Sequence, residues 1–348
     1  MSEHLNILYG FGRPLSPFYG LAMSIRAAFY KKGLLRKQRL PVPVISVGNL
    51  TLGGTGKTPM TIYLAKLLRA HAPAIVSRGY GGRAKERVNV VADGSGIYLD
   101  AVTAGDEPFY MAENLPGVPV VTSRRRLDGG RYAVDSLHAR TVILDDGFQH
   151  QALERDLDLV LFKVDSFLGN NRVFPGGDMR EPLMALRRAD AFVLTCVNDT
   201  NRERAQAIKR ALLKKFPQIP VFTAEYHPIC LVTPNKKEIG LAEAKRKAFF
   251  GFCGLAQPAS FVRSLESAGL QTVGFQVFRD HCRYFKPELE FLKKRIAGCS
   301  ANALVTTEKD MVKLAGKELP LPLYALRMEM RPEADFDAFV LGKISSTS

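Results

Sequence analysis

The chain has 348 residues, 46% of them hydrophobic, with a net charge of +15. That length and apolar content suit two ordinary domains with real cores, and the positive charge suits nucleic acid, an anionic membrane surface or a phosphorylated substrate. Five cysteines scattered without C-x-x-C spacing exclude a disulfide framework and a zinc site. With no secretory signal at the N-terminus, a reducing cytoplasm is the expected compartment.

Residues 1–16 read as loop. Ser16 is placed to cap a helix with Pro17 at its first position, and Pro17 to Tyr30 follows with Phe18, Leu21, Ala22, Ile25 and Phe29 on one face. Such a helix is about 20 Å long, too short to span a bilayer. Lys31, Lys32, Arg36, Lys37 and Arg39 come directly after it. An apolar helix followed by a basic cluster is the pattern of a segment lying in an anionic interface, and equally of a helix packed on its own domain. The charge is uneven: His4 through Lys85 holds 13 Lys and Arg and no Asp or Glu.

Val42 to Val47 is β-branched, apolar and short, a buried strand. The glycine-rich turn N-L-T-L-G-G-T-G-K-T and a helical pattern from Pro59 to Ala70 complete a strand, glycine loop, Gly-Lys-Thr and helix. That order is the phosphate-binding loop of nucleotide-hydrolysing enzymes and kinases. Gly53, Gly54, Thr55 and Gly56 let backbone N–H groups curl around an anion. Lys57 is expected to reach the terminal phosphates and the Thr58 hydroxyl to sit on Mg²⁺. The generic motif has glycine where this chain has Thr51, and Pro59 at the helix start removes one N–H.

Ala74 to Ser77 is a short strand, followed by R-G-Y-G-G-R at 78–83, a basic loop able to clamp phosphate or simply to turn in solvent. Val88 to Ala92 is another strand. Asp106 of Gly105-Asp106-Glu107-Pro108 precedes a helix over Phe109 to Asn114, where an Asp is either a cap or a functional acid. Val118 to Thr122 is a strand ending in Ser123 and three arginines. Arg124, Arg125 and Arg126, with Arg78, are candidates for anionic substrate or transferring phosphate, since α/β sheets bind ligands at strand ends, or are a solvated charge run. Thr141 to Leu144 ends in Asp145-Asp146-Gly147-Phe148-Gln149-His150. An apolar strand ending in carboxylate is the usual partner of a phosphate loop and holds Mg²⁺ directly or through water. Spacing does not say which Asp.

Leu157 to Phe162, Ala191 to Thr195, Pro220 to Ala224, Ala248 to Gly251, Thr272 to Phe278, Ala303 to Thr306 and Leu323 to Met328 read as further strands. Between the first two lies a Gly- and Pro-rich loop, residues 169–182, carrying Arg172, Asp178, Arg180 and Glu181. Helices are expected over Arg202 to Lys215 and Ala259 to Ala268. Arg279-Asp280-His281 ends one strand and Thr307-Glu308-Lys309-Asp310 another. Alternating strands and helices make the fold class α/β with mainly parallel sheets: two P-loop/Rossmann-like domains joined near residue 155 and facing across a cleft. The expected division is 1–155 for nucleotide binding, with its interfacial helix at about 17–31, then 156–338, then a flexible tail at 339–348.

Together these residues resemble the tetraacyldisaccharide 4′-kinase family, the lipid A 4′-kinases of Gram-negative bacteria. The marks are S-V-G-N-L-T-L-G-G-T-G-K-T-P at 46–59, S-R-G-Y-G at 77–81, G-D-E-P at 105–108, L-D-D-G-F-Q-H at 144–150, R-E-P at 180–182 and T-T-E-K-D at 306–310. The family writes Thr at the position of Thr51. The resemblance covers nearly the whole chain. It implies transfer of the ATP γ-phosphate to the 4′-hydroxyl of a tetraacylated glucosamine disaccharide 1-phosphate, with Mg²⁺. It also implies peripheral attachment to the cytoplasmic face of the inner membrane. Residue by residue, it makes Asp106 the base and His281 its tuning partner, Lys57 and Thr58 the phosphate and metal residues, and Asp145, Asp146 and Gln149 the second strand-end motif. Glu181 becomes a further site acid, the metal set being Thr58, Asp146, Gln149 and Glu181. The physics agrees: Lys57, Mg²⁺ and one or more of Arg78, Arg124 and Arg125 can neutralise phosphate charge, and a carboxylate can accept the hydroxyl proton. Two rival classes remain. A GTPase or transport ATPase lacks support from any N-K-x-D or repeated ATPase signature. A nucleic-acid-associated ATPase lacks a recognition helix, finger spacing or basic–aromatic strand, and no nucleic-acid partner is expected.

Overall fold

Apolar runs and amphipathic stretches alternate as strands and covering helices in a computed structural model that describes residues 9, 10, 12–255, 258–280 and 282–345. Contacts divide the chain into two units, residues 1–225 with 330–348, and residues 226–329.

The first unit is built on β1 (Val44–Asn49), β2 (Pro73–Ser77), β3 (Asn89–Ala92), β4 (Val120–Thr122), β5 (Thr141–Asp145), β6 (Leu157–Lys163) and β7 (Ala191–Val197), in the order β7-β6-β1-β5-β2-β4-β3. Every pair is parallel except β3 with β4 at the edge. All six residues of β1 are buried. A parallel sheet covered on both faces dictates such unbroken apolar runs. The strand order reverses at β1, between β5 and β6, so the ends of β1 and β5 meet at the switch point where open α/β sheets hold ligands. Helix Lys57–Leu67 packs on β1, β2 and β5. Helix Arg202–Lys215 contributes Ala205, Ile208 and Leu212 to a core centred on Phe148, Phe162 and Phe192.

The domain boundary expected near 155 is corrected. Residues just beyond it form β6, which pairs directly with β1, Ile45 opposite Leu157. The polar turn 146–156 is the link between two strands of one sheet, and the division falls after Glu225. Strands β8 (Val221–Val232) and β13 (Leu323–Pro332) carry the chain out of the first unit and back.

The second unit is also α/β, with β9 (Glu238–Gly240), β10 (Ala248–Cys253), β11 (Gln271–Val277) and β12 (Ala303–Thr307). The order β11-β10-β12-β13 is parallel throughout. The T-T-E-K-D stretch has a structural job here. The Thr307 hydroxyl caps helix Glu308–Lys313 by accepting from Asp310 N, and the fully buried Asp310 accepts from Thr307 Oγ1 at 2.9 Å and from Gly254 N at 3.0 Å. Helix Lys286–Ile296, absent from the sequence reading, covers this sheet with Leu292 and Ile296.

The N-terminal helix runs Ser16–Lys31 with no buried residue. Phe18 is 72% exposed and Leu21 59%. Ser16 is not its cap: the cap position is Leu15, and Ser16 Oγ donates to Val173 O and accepts from Gly176 N, both at 2.8 Å.

The tail expected at 339–348 is instead largely helix. Phe336–Ser345 buries Phe336, Val340 and Ile344 at four-residue spacing. Phe336 sets its ring 5.2 Å from Phe222, and the Tyr63 hydroxyl donates to Asp337 at 2.6 Å. Residues 346–348 lie outside the described residues. This contact yields a test: Phe336→Ala is expected to cost about 3–5 kcal/mol, read as a lowered urea midpoint. A loss under about 1 kcal/mol would mean that the helix is dispensable to the first unit.

Candidate active site

At the end of β1 the chain makes a polar clamp. Asn49 is buried, its Nδ2 donates to Thr51 O at 2.7 Å, and its Oδ1 accepts from Lys57 Nζ at 3.2 Å. Gly53 (φ 110°) and Gly56 (φ 85°) take backbone conformations that a Cβ disfavours. The Thr55 carbonyl accepts from Thr195 Oγ1 at 2.8 Å, which fixes the far side of the loop to β7. Helix Lys57–Leu67 then starts from Gly56 with no side-chain cap. Pro59 is its third residue rather than its first. Met60 N bonds to Gly56 O, so Lys57 and Thr58 supply the first-turn N–H groups without intrahelical partners. An uncapped helix start with an ammonium beside it is an anion site.

β5 delivers two carboxylates. Asp145 is buried. Ser77 Oγ donates to its Oδ2 at 3.1 Å, and its Oδ1 has no hydrogen-bond partner. Burial, then the nearby Glu107 carboxylate, push its pKa up to about 6; Lys57 opposes the rise and Asp146 adds to it. Asp146 takes the left-handed conformation (φ 56°) and turns to cations. Arg180 Nη1 donates to both its oxygens at 2.8 and 3.0 Å, and Lys57 Nζ lies 3.6 Å away. Burial works against its charge, yet Lys57 and Arg180 hold its pKa below the usual carboxylate value. Gln149 donates to Asn49 O at 2.9 Å and its Oε1 accepts from Arg180 at 3.4 Å. The neighbouring His150 is kept neutral by burial and by Arg126, Arg155, Arg26 and Arg78, its pKa pushed down to about 4.

The loop 169–182 reaches this site because it is zipped to the phosphate loop. Leu52 N donates to Asp178 O at 2.7 Å and Arg180 N to Leu50 O at 2.8 Å. Glu181, the next residue, is buried and paired with Arg188 at 2.6 Å, its other oxygen unpartnered. Arg188 also stacks 4.5 Å from the Phe148 ring centroid.

Asp106 is the first residue of helix Asp106–Asn114, half-buried, and the cap position belongs to Gly105. Glu107 beside it reaches Asp145 electrostatically, which brings G-D-E-P to the second strand end. The partner implied for Asp106, His281, lies outside the described residues.

The arginines divide. Arg126 is buried at the start of helix Arg126–Asp135 and donates to Ser123 O and Asp145 O at 3.1 and 3.4 Å. Arg78, Arg124 and Arg125 line a separate cavity of about 520 Å³ at the ends of β2 and β4, whose walls include neither Lys57 nor Asp146. Among the described residues no three His, Cys, Asp or Glu side chains form a metal cluster.

Asn49, Glu107 and the pairing role of Arg180 were missed in the sequence, whereas Arg126, a candidate for anion contact there, is buried against Ser123 O and Asp145 O. Asn49 had a signal, an amide ending an otherwise apolar strand. The others depend on which way a turn points a side chain.

A model of the tetraacyldisaccharide-1-P 4′-kinase family matches residues 9–345. The tetraacyldisaccharide 4′-kinase of Desulfotalea psychrophila is 45% identical over 343 residues, 98% of each chain. That of Syntrophus aciditrophicus is 41% identical over 94% of this chain and 90% of its own. The crystal structure of LpxK from Aquifex aeolicus, an "apo" form in complex with ATP, matches with a TM-score of 0.79 at 35% identity, over 96% of this chain and 97% of that one. Phosphate loop, double carboxylate and full-length similarity agree, and the chain belongs to the tetraacyldisaccharide-1-P 4′-kinase family.

Proposed function

We infer that this chain transfers the γ-phosphate of ATP to the 4′-hydroxyl of a tetraacylated glucosamine disaccharide 1-phosphate, a precursor of lipid A. One observation carries the reading: Lys57, poised between Asn49 and Asp146 at the start of an uncapped helix. Phosphoryl transfer asks for charge neutralisation, in-line placement and an oriented nucleophile, with little covalent work by the protein. Lys57 and the N–H groups of Lys57 and Thr58 receive the phosphates. When they arrive, Lys57 trades Asp146 for phosphate oxygen, and Arg180 keeps Asp146 compensated. Asp106, at the positive end of a nine-residue helix, accepts the hydroxyl proton. Its tuning by His281 rests on the resemblance.

The residues fit Mg²⁺. It takes oxygen ligands and few of them from protein, and Asp145 Oδ1 is a buried carboxylate oxygen without a partner. Asp145 and the Thr58 hydroxyl are groups that would hold it, and the unpartnered second oxygen of Glu181 is a further one, whereas both oxygens of Asp146 are engaged by Arg180. When bound, the ion neutralises phosphate charge as the bond breaks.

The same reading gives the N-terminal helix its task, attachment to the cytoplasmic face of the inner membrane. Phe18, Leu21, Ile25 and Phe29 are all exposed, and Lys31 and Lys32 follow on the next turn. No described helix is long and apolar enough to cross a membrane.

The direct assay is incubation with radiolabelled ATP, Mg²⁺ and the acceptor, followed by thin-layer separation of labelled lipid. Lys57→Ala is expected to lower kcat by at least about 100-fold, the scale of one lost transition-state contact. Near wild-type turnover would remove the reading's core.

Asp145 predicts opposite effects on stability and activity. Its carboxyl titrates near 6 in the folded protein and near 3.8 unfolded. The folded state therefore binds more protons between those values, and the contribution to stability, whole below about pH 4, is lost as pH rises through about 6. In metal-free protein at pH 7–8, Asp145→Asn should raise stability by about 1–3 kcal/mol while kcat collapses. A variant less stable than wild type at that pH, by urea unfolding, would show that Asp145 is a structural acid.

For the membrane, Leu21→Ser/Ile25→Ser should leave unfolding within about 0.5 kcal/mol per site. Affinity for anionic vesicles should fall more than about tenfold, because each lost apolar burial is worth about 1.5–3 kcal/mol. Unchanged co-sedimentation would remove the helix from the interface.

A further inference from the structure

The buried ion pair of Arg155 and Asp158 has no part in the steps above. Arg155 Nη2 donates to Asp158 Oδ2 at 2.7 Å, and the two side chains are only 9% and 3% exposed. The pair sits at the start of β6, where Asp158 is in register with Ser46 of β1. Burying two charges is a poor source of stability, since well-packed apolar residues of similar volume do as well or better. The pair therefore calls for another reason.

That reason is the second arm of the guanidinium. Arg155 Nη1 donates to His150 O at 2.7 Å. His150 closes the turn 146–150, which lies on β1: Gly147 N donates to Val47 O at 3.1 Å, and a Cβ on Gly147 would stand 2.6 Å from Ser46 Oγ. Arg188 reaches Phe148 O at 3.4 Å, so the shorter of the two arginine bonds falls next to Gln149. Gln149 in turn donates to Asn49 O, and Asn49 Oδ1 accepts from Lys57. Asp158, to which Arg155 is tied, is itself fixed. Asp158 N donates to Asp190 Oδ2 and Asp190 N to Asp158 O, both at 2.9 Å. Lys343, on helix Phe336–Ser345, reaches the other oxygen of Asp190 at 3.4 Å.

We propose that Arg155 is a positioning residue for phosphoryl transfer: it holds the turn 146–150, and with it Asp146 and Gln149, against the phosphate loop, while Asp158 keeps the guanidinium charged and aimed. The proposal rests on the kinase reading. Arg155 acts through a backbone carbonyl, since one arm is on His150 O and the other on Asp158. A guanidinium meets two acceptors from two nitrogens at a fixed angle, and a single ammonium does not. Transfer chemistry is sensitive to displacements of about 1 Å, so loosening this carbonyl is felt in turnover more than in binding.

The test separates the anchor from the ion pair. Asp158→Asn removes the counter-charge yet keeps an oxygen for Arg155 and leaves its bond to His150 O. Arg155→Met/Asp158→Asn removes the anchor as well and buries neither charge. In the double variant kcat for lipid phosphorylation is expected to fall at least about 30-fold, with the KM for ATP within about threefold of wild type. Amide hydrogen exchange over residues 147–151 should quicken at least about tenfold. Asp158→Asn should stay within about threefold of wild type in both kcat and exchange. Arg155→Lys, which keeps a cation for Asp158, should hold the wild-type urea midpoint and still lose at least about fivefold in kcat; it decides alone where another variant does not fold. Equal kcat in Asp158→Asn and the double variant, losses that follow the urea midpoints, or wild-type kcat in Arg155→Lys would overturn the proposal. A wild type that transfers no phosphate to lipid would overturn the kinase reading instead, and the exchange comparison would still judge the anchor.

Discussion

Asp145 and Asp146 are neighbours in sequence with the same side chain, and the fold holds them in opposite electrostatic conditions. Asp145 ends a buried strand with one oxygen on Ser77 and the other unpartnered, so its charge is resisted. Asp146, turned by a left-handed backbone step, is gripped by Arg180 and approached by Lys57. One carboxylate keeps an oxygen without a partner and the other holds two cations in place. The glycine loop, the helix behind it and the loop 169–182 are arranged so that this asymmetry persists. An unpaired buried charge costs far more than a paired one.

The same loop carries the lipid end of the problem to the phosphate end. Ser16 at the start of the exposed helix is bonded to Val173 and Gly176, the Tyr9 hydroxyl donates to Asp178 at 2.7 Å, and residues 178–180 are zipped to Leu50 and Leu52. From the apolar helix to the site is thus one short hydrogen-bonded path. An acceptor with acyl chains in a membrane and a sugar hydroxyl that must meet ATP needs such a path, because misplacement by an ångström is costly in transfer chemistry.

Much of this was legible in the residues. Strand, glycine loop and Gly-Lys-Thr announce themselves because buried parallel strands must be continuously apolar and anion loops must be small. Arg202–Lys215 fell where its amphipathic period placed it. The domain boundary was not legible. Residues 146–156 are polar and turn-rich, as a linker would be, and only pairing shows β6 beside β1. The tail was misread for a different reason: its Ser/Thr-rich end drew attention away from Phe336, Val340 and Ile344, whose four-residue spacing was there to be seen. At the site, residue types were readable and partners were not. Glu181 as an acid was evident, but that Arg188 claims it depends on a chain reversal no local pattern encodes.

The return of the chain to the first unit has a bearing on how the protein is made. Synthesis proceeds from β1 onward, yet helix Phe336–Ser345, which packs against Tyr63 and Phe222, emerges only after the whole of residues 226–329. The nucleotide-binding half therefore stays incomplete on the ribosome while the inserted half, a contiguous stretch, can close by itself. During that interval the parallel strands of the first unit are present without their last covering element.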